Sequence, residues 1–378
     1  MNFISKITIG GTGIFLVTGC TLIQPSPSIS STPPPLPPEI EQPEIMSSTS
    51  FSSSKEEEII EEESSSSSSR VEEEPDHRPL EALPSTLNIP HFRAMRLQGT
   101  GLTLGDVLDR NDVYTRYAIT YRSNGLLITG ILNIPEGEGP YPLVIFNHGY
   151  IARSVYTQGR GLKREQDYLA RQGFAVLHTD YRGHAGSDES PMTENVYDGN
   201  LEYAMDSANA ILAVRAAALP QIDATRVGML GHSLGGGVTL AVLTGRPELV
   251  SATVLYAPVH ADVWENFSRW RAERSEGDRT LKAFGTREEH PEIWDALSPQ
   301  TFLSDIEVPI LLFQGGRDPD VPKEWSDSLA ASLRETGREI EYIEYPNEAH
   351  EFGPKWTDFM ERTAAFLRLT LLSPSGPL

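Results

Sequence analysis

Residues 226–237 read R-V-G-M-L-G-H-S-L-G-G-G, and no other stretch restricts the possible folds as much. Val227, Met229 and Leu230 form a short apolar run, the pattern of a strand buried on both faces. Gly231, His232, Ser233, Leu234 and Gly235 follow as G-x-S-x-G, and Val238 to Leu243 resume as a helix. Strand, sharp turn and helix together make a nucleophile elbow, in which a strained turn exposes a serine hydroxyl. Gly231 and Gly235 stand where a Cβ would obstruct the tight approach of backbone. The turn also puts Ser233 at a helix N-terminus, so that the Leu234 N–H can meet a developing oxyanion.

A serine nucleophile needs a base, and the base needs an acid to orient it. In a strand–helix architecture with this elbow the chain order is serine, acid, histidine. The strand Ile310–Phe313 runs into G-G-R-D-P-D-V-P at Gly315–Pro322, offering Asp318 and Asp320 at a carboxyl strand end, where open α/β sheets build their sites. The strand Ile340–Glu344 leads to E-A-H, with His350 on the loop after it.

The rest of the chain from about Leu87 supports the same architecture. Tyr114–Tyr121 and Leu126–Ile134 are extended runs joined by Ser123-Asn124-Gly125, a hairpin signal. Leu143–Phe146, Phe174–His178 and Ala252–Leu255 are further strands, with helices at Gln166–Gln172, Asn200–Ala218 and Trp356 to about Leu371. Counting the elbow strand, the expectation is a mostly parallel α/β sheet of eight strands flanked by helices, with the elbow on the fifth. About fifty residues separate Pro258 from Ile310, which predicts a short helical cap over about 260–305. Trp264, Phe267, Trp270, Phe284 and Trp294 are expected mainly to pack it onto the domain. Arg269, Arg271 and Arg274 could take a substrate carboxylate, but their spacing reads first as a solvated helix face.

The motifs resemble the α/β-hydrolases, and more narrowly the catalytic domain of the prolyl oligopeptidase family and its bacterial esterase relatives. The likeness spans about Tyr114–Leu369. It rests on N-H-G-Y at Asn147–Tyr150, D-Y-R-G-H at Asp180–His184, the G-H-S-L-G elbow, the Gly315–Pro322 segment and the terminal E-A-H. The resemblance implies a Ser233–Asp318–His350 triad, with Asp320 the second choice for the acid. It implies an oxyanion hole from the Tyr150 and Leu234 N–H groups, the Tyr150 phenol being the alternative donor. His148 and His232 read as positional residues, and Asp180–Ser187 as a turn bordering the pocket. Ala349 stands where the family usually has glycine. The implied reaction is ester hydrolysis through an acyl-enzyme, without metal or cofactor. Its substrate would be a small-molecule ester or a short peptide. The alternatives are a serine peptidase of the same family, whose members usually carry a large propeller for which the arm leaves no room, and a catalytically dead binding lipoprotein.

The first 88 residues predict something else. Lys6, the apolar Ile7–Val17 and the ending Val17-Thr18-Gly19-Cys20 read as an export signal over residues 1–19, too short for a membrane span. The ending resembles a bacterial lipobox, which makes Cys20, the sole cysteine, the expected lipid attachment site. Residues 20–88 are rich in Pro, Ser and Glu and read as a solvated, self-repelling tether, leaving 89–378 as the catalytic domain. Thr21–Pro79 holds thirteen acidic and three basic side chains, a net of −10 within a chain total of −22. With no basic patch or stripe, nucleic acid is not an expected partner. The expected location is a bacterial envelope, outside the cytoplasm and anchored to a membrane through lipid.

Overall fold

The computed structural model describes residues 87–190, 196–338 and 340–372. The signal, Cys20 and nearly all of the expected tether lie outside the described residues. Among those described, Leu87 is already fully buried, and the Asn88 side chain accepts from the His91 N–H to cap α1 (Ile89–Ala94).

Among the described residues nine strands form one sheet, one more than the sequence predicts. The addition is β1 (Gly99–Arg110), and it moves the elbow to the sixth strand. β1 lies at the sheet edge and pairs antiparallel with β2 (Tyr114–Ser123) through irregular register. Its G-T-G-L-T-L-G-D-V-L-D-R sequence buries little beyond Gly99, and Val107 and Leu108 are about half exposed. An edge strand with one wet face and several glycines gives no apolar run from which to read it.

β2 turns into β3 (Leu126–Pro135) through Asn124 and Gly125, both at positive φ, the two-residue hairpin that Asn-Gly favours. Then come β4 (Tyr141–Asn147), α2 (Lys163–Arg171), β5 (Ala175–Thr179) and α3 (Leu201–Ala217). The elbow joins β6 (Ile222–His232) to α4 (Leu234–Gly245), and β7 (Ala252–Tyr256) follows. Three helices, α5 (Val263–Trp270), α6 (Ser275–Phe284) and α7 (Pro291–Leu297), fill the interval before β8 (Ile310–Gly315). α8 (Lys323–Glu335), β9 (Ile340–Tyr345) and α9 (Trp356–Leu372) complete the described chain. The spatial order is β1-β2-β3-β5-β4-β6-β7-β8-β9, parallel from β5 onward.

The parallel strands are apolar on both faces because alternate residues enter different cores. Leu143 and Ile145 of β4 join Met229, Leu255 and Leu312 under α3 and α4. Val144 and Phe146 join Leu230, Val254 and Phe313 under α2 and α9. In-register pairs Asn147–Gly231, His232–Tyr256 and Gly315–Tyr345 bring the carboxyl ends of β4, β6, β7, β8 and β9 to one edge. The functional loops all leave from there. Among the described residues, no helix is long and apolar enough to cross a membrane.

Candidate active site

Ser233 has φ 56° and ψ −122°, a conformation costly for a residue with a Cβ. The surrounding bonds impose it. Its N–H donates to the Tyr256 carbonyl at 3.0 Å, and its own carbonyl accepts from the N–H groups of Gly236 (2.8 Å) and Val259 (3.1 Å). A Cβ on Gly235 would lie 2.0 Å from the Asn147 oxygen, and one on Gly231 would lie 2.3 Å from the Gly235 oxygen. Both glycines are therefore obligatory for β6, α4 and β4 to meet. Asn147 ties the junction: its amide donates to Thr239 Oγ1 and its oxygen accepts from Ser207 Oγ, each at 2.8 Å.

His350 Nδ1 donates to Asp318 Oδ2 at 2.7 Å. The other carboxylate oxygen accepts the N–H groups of Asp320 and Val321, both at 2.9 Å. Gln314 Nε2 donates to Oδ2 at 3.0 Å, and its own oxygen accepts from Ser326 Oγ. Burial pushes the Asp318 carboxyl up, but the His350 hydrogen bond and charge and the two backbone N–H groups outweigh it. The net effect holds the carboxyl below its ordinary value. An ionised Asp318 keeps the proton on Nδ1 and leaves Nε2 of the imidazole as the base. Asp320 is exposed, and its carbonyl accepts from Arg269 at 3.0 and 3.2 Å. Of the two aspartates, Asp318 is the one that bonds the histidine.

Ser233, Leu234 and His350 line a cavity of about 600 Å³, with Gly149 and Tyr150 from the loop after β4. Asp318 sits behind His350, its side chain wholly buried. Gly149 backs directly onto the elbow: a Cβ there would be 3.2 Å from Ser233 Cβ. The Tyr150 and Leu234 N–H groups have no hydrogen-bond partner among the described residues. The Tyr150 ring is 61% exposed and faces the Arg271 guanidinium at 5.9 Å, so its phenol is directed to the cap side. A strained serine, an oriented imidazole and two unpaired N–H groups around one cavity are the parts of acyl transfer.

Comparison with known proteins agrees with this geometry. The pattern of the prolyl oligopeptidase family matches residues 161–371, more than half of the chain. The chain belongs to that family. It is similar to an uncharacterized peptidase, YuxL, of Bacillus subtilis, 28% identical over 240 residues. That match takes in 60% of this chain but 34% of the relative, so the chain spans about a third of its length. Among solved structures, acylaminoacyl peptidase of Pyrococcus horikoshii superposes with a TM-score of 0.56 at 22% identity, over 70% of this chain and 43% of that one. Acetyl xylan esterase 1 of Thermoanaerobacterium sp. JW/SL YS485 gives 0.56 at 21%, over 74% and 90%. Both superpositions show the shared α/β-hydrolase fold.

In this member of the prolyl oligopeptidase family the other two histidines near the serine are held neutral. Burial, then the charge of His350, pushes His232 down to about 3. Its Nε2 donates to the His350 carbonyl at 3.2 Å and its ring packs on Tyr256. Burial likewise pushes His148 down to about 3. Its Nδ1 donates to the Gly149 carbonyl at 2.7 Å and shapes the loop that carries Tyr150. The turn from Asp180 is anchored in the core: Asp180 accepts from Tyr156, Gly159 and Thr129, and Arg182 meets Asp206 and Glu202.

Phe267, Phe284 and Trp294 are buried and pack α5–α7 together, with Trp264 against them. Trp270 instead reaches the cavity wall. So do Arg271 and Arg274, which the sequence places on a solvated face. Sequence reasoning also missed Gln314, Tyr197, Asn200 and Asn266. Only Gln314 left a signal, a polar residue closing an otherwise apolar strand; the others reach the cavity through tertiary packing.

Proposed function

We propose that this serine hydrolase cleaves a carboxylic ester through a covalent acyl-enzyme, with Ser233, His350 and Asp318 as the triad. The observation that carries the reading is that His350, held from behind by Asp318, lines the same cavity as the strained Ser233. Ser233 Oγ attacks the carbonyl carbon while His350 Nε2 takes its proton. The oxyanion is received by the Tyr150 and Leu234 N–H groups, held in place by Gly149 and the start of α4. His350 then returns the proton to the leaving alcohol, and water repeats the sequence to release the acid. Because α5 and the turn after it supply walls of the cavity through Asn266, Trp270, Arg271 and Arg274, an acyl group can be enclosed by this domain's own residues. Peptide hydrolysis by the same groups is the second reading, favoured by the likeness to a relative described as a peptidase.

Panels of 4-nitrophenyl esters and aminoacyl naphthylamides, run on the purified protein, separate the two. A fluorophosphonate probe should label Ser233, and Ser233→Ala should abolish labelling and turnover with little change in melting temperature. Turnover that persists in Ser233→Ala overturns the assignment. We further propose that the protein is exported and lipid-anchored at Cys20; this rests on the lipobox-like ending and the sole thiol.

A further inference from the structure

The walls of the catalytic cavity carry the wrong charge for the rest of the protein. The chain has a net charge of −22, yet Lys163, Arg164, Arg271 and Arg274 face this cavity against Glu165, Asp320 and Glu351. Glu165 is committed locally: it is buried, accepts from Trp356 Nε1 at 2.5 Å and pairs with Arg164 at 3.7 Å, so it offsets Arg164 and leaves the cap arginines alone. The cations on the cap are also incompletely used. Arg271 spends one contact on Glu276 at 3.2 Å and lies over the rings of Tyr150 and Tyr197. Arg274 has no side-chain hydrogen bond or ion pair among the described residues.

Position assigns these arginines to one half of the substrate. A second chamber of about 450 Å³ shares Gly149, Tyr150, Leu234, Arg271 and Arg274 with the catalytic cavity. His350, Asp320 and Glu351 line the catalytic cavity only. The leaving group must lie beside the histidine that protonates it, so the acyl part extends from the oxyanion donors to the other side. That side is the one walled by Arg271 and Arg274. Two guanidinium groups, one resting on aromatic faces with a single partner in Glu276 and one without a side-chain partner among the described residues, match a carboxylate, which Arg binds by paired, charge-assisted hydrogen bonds.

We infer that the acyl portion of the substrate carries a carboxylate, received by Arg271 and Arg274, so that these cap residues determine specificity. The inference rests on the Ser233 acyl-enzyme reading. The acid could be the free end of a dicarboxylic half-ester or an acidic side chain before a peptide bond. The reaction is otherwise unchanged: the Ser233 oxygen–acyl bond forms as the bond to the leaving group breaks, and the second carboxylate takes no part in the exchange.

The test compares kcat/KM for 4-nitrophenyl glutarate and 4-nitrophenyl valerate, which share chain length and differ in the terminal carboxylate. An N-blocked Glu 4-nitroanilide against its Gln counterpart tests the peptide source. In one source or the other the wild type should prefer the anionic member, less so at high salt. Arg274→Gln should lower the anionic-to-neutral ratio roughly tenfold, through KM. Arg274→Glu should invert it, and Arg274→Lys should retain part of it. If fluorophosphonate labels Ser233 but neither pair shows anionic preference, or Arg274→Gln leaves the ratio unchanged, the inference fails and the hydrolase reading survives. If Ser233 is not labelled and nothing is turned over, both fail.

Discussion

At the scale of single residues, Asp318 and Asp320 are two positions apart on one loop and share a chemistry, yet their surroundings divide their roles. Asp318 has a wholly buried side chain, three N–H donors and the His350 ring; Asp320 faces solvent and lends its backbone. Asp318→Asn should lower kcat by roughly 10⁴, because an amide cannot hold the imidazole proton on Nδ1. Asp320→Asn should cost at most a few-fold, since its N–H and carbonyl remain. Steady-state kinetics on both variants check this, and the opposite ranking would move the acid to Asp320. Asp198 offers a second test at this scale. It accepts the Asn200 and Glu202 N–H groups at the start of α3, and its carboxyl is pushed up to about 6 by burial and by the nearby Glu202 charge. With the folded value above the ordinary 3.8, the native state holds this proton longer than the unfolded chain. Stability from this group is present at low pH and is lost as pH rises between about 4 and 6. Urea unfolding of wild type and Asp198→Asn at several pH values should show their free-energy difference falling across that window. A difference that rises there contradicts the assignment.

At the scale of elements, what matters is how loops are tied to the helices beneath them. The turn after β5 has no regular structure, but Arg182 pins it to α3. Its guanidinium meets Asp206 at 2.7 and 2.9 Å and Glu202 at 2.6 Å, all of them buried. Arg182→Leu removes the cation and leaves two buried carboxylates uncompensated, which costs about 3–5 kcal/mol. Chemical denaturation should show the loss, and the Ser233 labelling rate should fall because the same turn packs Tyr181 against His148. A change under about 1 kcal/mol would mean that water or a rearranged partner replaces the arginine. The elbow is legible in sequence for a related reason: Gly231 and Gly235 are demanded by backbone contacts, and such demands leave a residue type behind.

At the scale of the whole molecule, the described residues hold the candidate active site and say nothing of where the protein resides. The proposed location rests on the sequence of the first twenty residues. If Cys20 carries lipid, the protein should fractionate with membranes in a bacterial host, since a diacylglycerol supplies the two chains that stable anchoring needs. Cys20→Ser should release it or leave an uncut precursor, with Ser233 labelling per molecule unchanged. Wild-type mature protein found soluble, with another N-terminal residue by mass spectrometry, would remove the anchor and leave the hydrolase.

The sequence by itself determined the parallel core, the elbow and the order serine, aspartate, histidine. Buried strands must be apolar, strained turns must have glycine, and chain order follows from topology. All of these are local or one-dimensional constraints. It did not reveal β1, whose pairing with β2 is made by backbone bonds that any side chain allows. It ranked Asp318 above Asp320 by resemblance alone, and the folded loop supplies the physical reason by burying Asp318 against His350. It placed Arg271 and Arg274 on a solvated face because helical spacing records a helix's own neighbours. Which wall that helix completes is decided by residues far away in the chain, and that is known only once the cap lies over the sheet.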